Sequence, residues 1–114
     1  MEFLGKLLVS AIAVIVTAYL LPGVHIDGIV TAIIVAAVLS FLNAIIKPIL
    51  IILSLPITIF SLGLFMLVIN AVIIMLTDAI TPGFSVDGFW WALLFSLILS
   101  LVNSIFSSLN HPNE

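Results

Sequence analysis

The chain has 114 residues, of which 65% are hydrophobic and 6% charged, with a net charge of −3 and a mean hydropathy of +1.58. Soluble domains average roughly 45–50% apolar and 25% charged residues, and a chain this small leaves a large share of its surface exposed, so a water-soluble fold is excluded and the lipid bilayer is the solvent. Cysteine and arginine are absent, which removes thiol chemistry, disulfides and cysteine zinc sites and leaves no basic patch for nucleic acid.

The first span runs from Phe3 to Leu21, where Pro22-Gly23 stops it; its length is near the ~20 residues that cross the hydrocarbon. Lys6 precedes the apolar run as in a signal peptide, but the run exceeds an h-region of roughly 7–15 residues and lacks a small-x-small cleavage site. We therefore expect it in the mature fold. A turn, Pro22-Gly23-Val24-His25-Ile26-Asp27-Gly28, leads to the second span, Ile29 to Ile46, which Lys47-Pro48 closes because the residue before a proline is pushed out of the α region.

Residues 47–63 are too apolar for water, and Pro48 and Pro56 divide them. Ile49 to Leu55 makes about two helical turns at ~1.5 Å per residue, too short to cross, and reads as an interfacial or re-entrant segment. In the other reading the second helix continues past Pro48 as a kinked helix and turns at Ser54-Leu55-Pro56. The third span starts near Ile57, after Pro56, and reaches Thr77 or slightly beyond. Pro82-Gly83-Phe84-Ser85-Val86-Asp87-Gly88 follows, then a fourth span from Phe89 to about Leu109 and a short polar tail, 110–114.

The second turn repeats the first sixty residues later, and the match extends without a gap: Ala11 with Ala71, Thr17 with Thr77, Ala32 with Ala92, Leu39 with Leu99, Ser40 with Ser100, Asn43 with Asn103. The expected fold class is an all-α integral membrane protein of four transmembrane helices, built as two repeated helical hairpins with the interfacial or re-entrant segment between them. As one membrane domain, 1–114, it divides into repeat 1 at about 1–49, an apolar connection at about 49–60, repeat 2 at about 61–109, and the tail. Two spans per copy make the repeat parallel, its axis along the membrane normal, unlike the inverted repeats of alternating-access transporters. Lys6 and Lys47 mark one end and the acidic turns the other, so both termini are expected on the cytoplasmic side. Tyr19 and Phe89-Trp90-Trp91 fall at the outer interface, where amphipathic rings prefer the headgroups.

Polar residues inside the spans are the candidate sites. Ser40, Asn43 and Lys47 share one face of the second helix by their spacing; Ser96, Ser100, Asn103 and Ser107 share the equivalent face of the fourth, and Asn70 lies on the third. They suit either hydrogen-bonded helix packing or a water-lined path, and the repeats are expected to pack through the Asn43 and Asn103 faces. Lys47 is expected to snorkel to headgroups and Asp78 to reach outer water. A relay of protons needs several paired carboxylates or histidines, and these are lacking. In the repeated turns, Pro22, Gly23, Asp27 and Gly28 with Pro82, Gly83, Asp87 and Gly88 read as helix punctuation: glycine ends one helix in a left-handed turn and aspartate caps the next. His25 with Asp27 falls short of a metal set, and Ser85 replaces the histidine in the second copy. No catalytic, cofactor or metal residues are assigned. His111 lies in the tail, far from a Ser-His-Asp arrangement, and no Gly-rich phosphate loop is present.

Asn43 followed by Lys47-Pro48, then Leu53-Ser54-Leu55-Pro56, Leu62-Gly63-Leu64-Phe65, Asn70 and Gly83-Phe84-Ser85-Val86-Asp87-Gly88-Phe89 form an ordered set over nearly the whole chain. It resembles the phage holin family of small four-span bacterial membrane proteins, the mycobacterial four-span holin type. The resemblance implies a four-helix protein of the bacterial inner membrane whose partners are the lipid bilayer and further copies of itself. Holins oligomerise and open holes for lytic enzymes, so the expectation is a holin-like protein acting by association, with lesion formation as its possible outcome. The tail lacks the basic cluster of many holins. The competing expectations are a non-lytic structural, stress-related or partner-binding membrane protein, and a small permeation unit; an enzyme is not expected.

Overall fold

The computed structural model describes residues 2–61 and 63–110. Leu62, residues 111–114 of the expected tail, and the side chains of Ser107, Leu109 and Asn110 lie outside the described residues. Helix α1 spans Glu2–Leu20, strand β1 Val24–Ile26, α2 Ile29–Leu53, α3 Leu55–Phe60, α4 Phe65–Ile80, β2 Phe84–Val86 and α5 Phe89–Asn110. Three helices, α1, α2 and α5, are long and apolar enough to cross a bilayer, and α4 is a shorter apolar helix.

α1 packs on α2 and α5, and α4 packs on the same two helices. The ring order is therefore α1, α2, α4, α5, with every neighbour antiparallel. The bundle centre is made of small side chains: Ala11, Ala13, Ala32, Ala71 and Ala92 are fully buried. Lipid tails are as apolar as leucine, so helices in a bilayer associate through close packing, and alanines let their backbones approach. Val14, Val35, Ile73 and Phe95 fill the remaining space. Thr17 and Thr77 are also buried, and each hydroxyl donates to the carbonyl four residues back, Ala13 at 2.7 Å and Ile73 at 2.9 Å. Neither hydroxyl is left unpaired in a medium without water.

At one end of the bundle, β1 and β2 pair as a two-stranded antiparallel ribbon, an element that the all-helical expectation lacks. Val24 faces Val86, His25 faces Ser85 and Ile26 faces Phe84. Exchanging residues sixty apart turns the first pair into the third and the middle pair into itself. The flanking bonds follow the same exchange: the Asp27 N–H donates to the Gly83 carbonyl and the Asp87 N–H to the Gly23 carbonyl, both at 2.9 Å. Each strand buries one side chain on the bundle, Val24 or Phe84, and the Phe84 and Phe95 rings lie 5.5 Å apart.

The second helix does not stop at Ile46. α2 runs through Lys47 and Pro48 to Leu53, which places Ile49 to Leu53 in the helix rather than in a separate segment. Pro48 forfeits one helical hydrogen bond, whereas ending the helix there would strip several carbonyls in an apolar medium. The chain turns instead at Ser54, whose N–H donates to the Leu50 carbonyl. The third span is also broken. After the short α3, the Ser61 hydroxyl takes the Phe65 N–H at 3.0 Å, and Gly63 adopts φ +89°, so α4 starts afresh at Phe65. A left-handed residue cannot continue a right-handed helix.

Candidate functional site

The asparagines, Lys47 and several serines of the spans line two neighbouring cavities. One cavity of about 100 Å³ is lined by Asn43, Lys47, Asn70, Ser96, Ser100 and Asn103, with Leu39 and Leu99 as its apolar wall. A second, of about 80 Å³, is lined by Ser10, Ser40, Asn43 and Asn103 against the same two leucines. Under the sixty-residue exchange, Ser10 takes the place of Asn70, Ala36 of Ser96 and Ser40 of Ser100. All six candidate residues, Ser40, Asn43, Lys47, Asn70, Ser100 and Asn103, thus line one cavity or the other, and both asparagines of α2 and α5 line both.

Their exposure is uneven. Ser40, Asn43 and Ser100 are exposed, while Lys47, Asn70 and Asn103 are half-buried. Leu39 and Leu99 beside them are buried, and of the two asparagines that line both cavities only Asn43 is exposed. Ser96 is buried and donates to the Leu93 carbonyl at 2.9 Å. Lys47 lines the larger cavity from α2, with Asn70 of α4 among the other lining residues. Ser10 went unnoticed in the sequence, although its match with Asn70 under the sixty-residue shift is the signal that finds it.

The ribbon end carries the acidic groups. Asp27 does not cap α2: the capping position is Gly28, with no side-chain hydrogen bond, and the Asp27 carboxylate instead lies beside the Thr31 hydroxyl over Gly83. A Cβ on Gly83 would sit 2.8 Å from Asp27 Oδ2, and its φ of +89° is the left-handed turn expected there. Gly23 has no such φ. It is held as glycine by the Trp91 indole, which occupies the space where its Cβ would stand. Trp91 therefore faces inward, while Tyr19 and Trp90 point outward. Asp87 faces His25, Nε2 to Oδ2 at 3.5 Å, with both side chains more than half exposed. Asp78 is half-buried and accepts the Val86 N–H at 3.0 Å, so it anchors the ribbon rather than simply reaching water. Among the described residues no three His, Cys, Asp or Glu side chains come together.

A family model described as mycobacterial 4 TMS phage holin, superfamily IV, matches residues 1–105. A relative of Bacillus subtilis named uncharacterized membrane protein YvlD is 46% identical over 97 residues, covering 84% of this chain and 82% of its own. An uncharacterized protein of Streptomyces coelicolor is 40% identical over 112 residues, 90% of each chain. No solved structure matches.

Proposed function

This chain belongs to the mycobacterial four-span phage holin family, superfamily IV, and from that membership we propose that it acts by associating with copies of itself in the bacterial inner membrane, opening a polar path between them. The carrying observation is polar surface at bilayer depth. Ser40 and Asn43 are exposed on α2, about 16 and 21 Å from Ile29 at ~1.5 Å per residue, inside a hydrocarbon layer ~30 Å thick. Lipid tails cannot hydrogen-bond an amide or a hydroxyl, and a neighbouring helix can, for roughly 0.6–2 kcal/mol per contact.

One copy does not conduct by itself. The cavities of about 100 and 80 Å³ hold a few waters each at ~30 Å³ per molecule, and Val14, Val35, Ile73 and Phe95 close the bundle above them. Water would cross only where the open sides of several copies face one another. In this reading the protein is a non-enzymatic, four-span unit of two parallel hairpins, about 1–49 and 61–109, with both termini cytoplasmic and the ribbon outside; α3 and α4 together cross as the third span.

The test is membrane potential during induced expression, comparing the native chain with an Asn43→Leu, Asn103→Leu double variant at equal abundance. The expected result is abrupt depolarisation by the native chain alone. Unchanged potential in both, with association intact by cross-linking, would overturn the polar path and leave a structural or partner-binding membrane protein.

A further inference from the structure

Lys47 lines the larger cavity, and among the described residues it makes no ion pair. It is half-buried in the larger cavity, about 27 Å along α2 from Ile29, near the inner boundary of the hydrocarbon in the orientation proposed above. Among the described residues the ion pair present is His25 with Asp87; Asp27, Asp78 and Asp87 stand at the ribbon end, Glu2 opens α1, and none of the four lines this cavity. Lysines at membrane depth normally pair or line a hydrated cavity.

The other lining groups are neutral and rich in donors. Asn43, Asn70 and Asn103 each carry two amide N–H donors and Ser100 a hydroxyl. Among the described residues none of these four side chains makes a hydrogen bond within the chain. A cation beside several unused donors, with no carboxylate among the residues that line the cavity, is the composition that receives an oxyanion, because hydrogen bonds to charged acceptors are the strong ones. The second cavity works as an internal contrast. It shares Asn43 and Asn103 but has Ser10 in place of Asn70 and no lysine.

We propose that the Lys47 cavity binds one phosphate-type oxyanion per chain, with Lys47 supplying the charge and Asn43, Asn70, Ser100 and Asn103 the donors. Its volume of about 100 Å³ leaves room for a single phosphate group. That group is either the phosphodiester of a membrane lipid, its chains lying outside the bundle, or free inorganic phosphate. The site is complete within one chain and does not depend on association.

Two measurements on the purified full-length protein test this. Isothermal titration with inorganic phosphate in phospholipid-free micelles reads the free ion, and native mass spectrometry from phosphatidylglycerol nanodiscs counts retained lipid. Binding in either identifies the source and supports the site. Lys47→Gln is expected to weaken whichever is seen at least tenfold, and Asn70→Asp to do the same by placing a carboxylate beside Lys47. Ser10→Ala should leave it within about twofold, with thermal unfolding confirming that all three variants fold. Absence of both phosphate and retained lipid in the native chain, or equal loss in Ser10→Ala and Lys47→Gln, would overturn the proposal.

Discussion

His25 and Ser85 face each other at the centre of the ribbon, the one cross-strand pair that exchange of residues sixty apart maps onto itself. Opposed residues of an antiparallel pair have Cα atoms ~4.5–5.5 Å apart, within the reach of a disulfide. The chain has no cysteine, so His25→Cys with Ser85→Cys is a clean probe. Mild oxidation of the double variant is expected to close an intramolecular bond, seen as loss of two hydrogens by intact mass and protection from alkylation. Two free thiols, or cross-linked dimers alone, would mean that the strands do not pair as described.

The same ribbon explains why its two halves use different residues at equivalent positions. Gly83 carries Asp27 and Thr31 above it, whereas Gly23 carries Trp91, the counterpart of Thr31. Gly23→Ala drives a methyl into the indole, and overpacking of this kind costs about 1–3 kcal/mol. Adding Trp91→Thr, which copies the other half, should recover most of that loss, a coupling measurable by a double-mutant cycle of unfolding in mixed micelles. Additive losses would show that the two residues are not in contact. Gly5→Ala, on α1 with open space around it, serves as the neutral control.

Asp78 has no partner position in the first half, where Ala18 stands, and its carboxylate holds the Val86 N–H. Hydrogen bonds to charged groups contribute about 1.5–3 kcal/mol. Asp78→Ala is expected to lower stability by about that amount and to remove the hydrogen-exchange protection of the Val86 amide, while Asp78→Asn, which keeps an acceptor, should retain most of it. An unprotected Val86 amide in the native chain would refute the anchor.

How far the sequence reveals this molecule depends on the range of the interaction. α1 and α5 are legible because uncharged runs meet Pro-Gly and Asp-Gly punctuation within a few residues, and the grouping of Ser40, Asn43 and Lys47 follows from helix spacing alone. The ribbon is not legible: three-residue strands look like turn, and the partner of each lies sixty residues away. The same distance hides the Trp91 contact that requires Gly23. Asp27 misleads because aspartate before a helix normally caps it, and here Gly28 takes the capping position while the carboxylate serves Gly83.

Pro48 decides between two paths of the chain that local rules alone leave open. With α2 continuous to Leu53, proline occupies a helix interior, where it removes one hydrogen bond and crowds the carbonyl of Ala44, at a cost of up to about 3 kcal/mol. Neighbouring helices recover part of this in a membrane. Pro48→Ala is therefore expected to raise stability by about 1–2 kcal/mol in a denaturant titration while the far-UV helix signal stays constant, since the residues on both sides are helical already. A helix ending at Lys47 predicts the reverse, a gain in helix signal as alanine lets the helix grow into residues 48–53. The two outcomes differ in sign as well as size, because only a helix already formed on both sides of residue 48 can gain stability without gaining length.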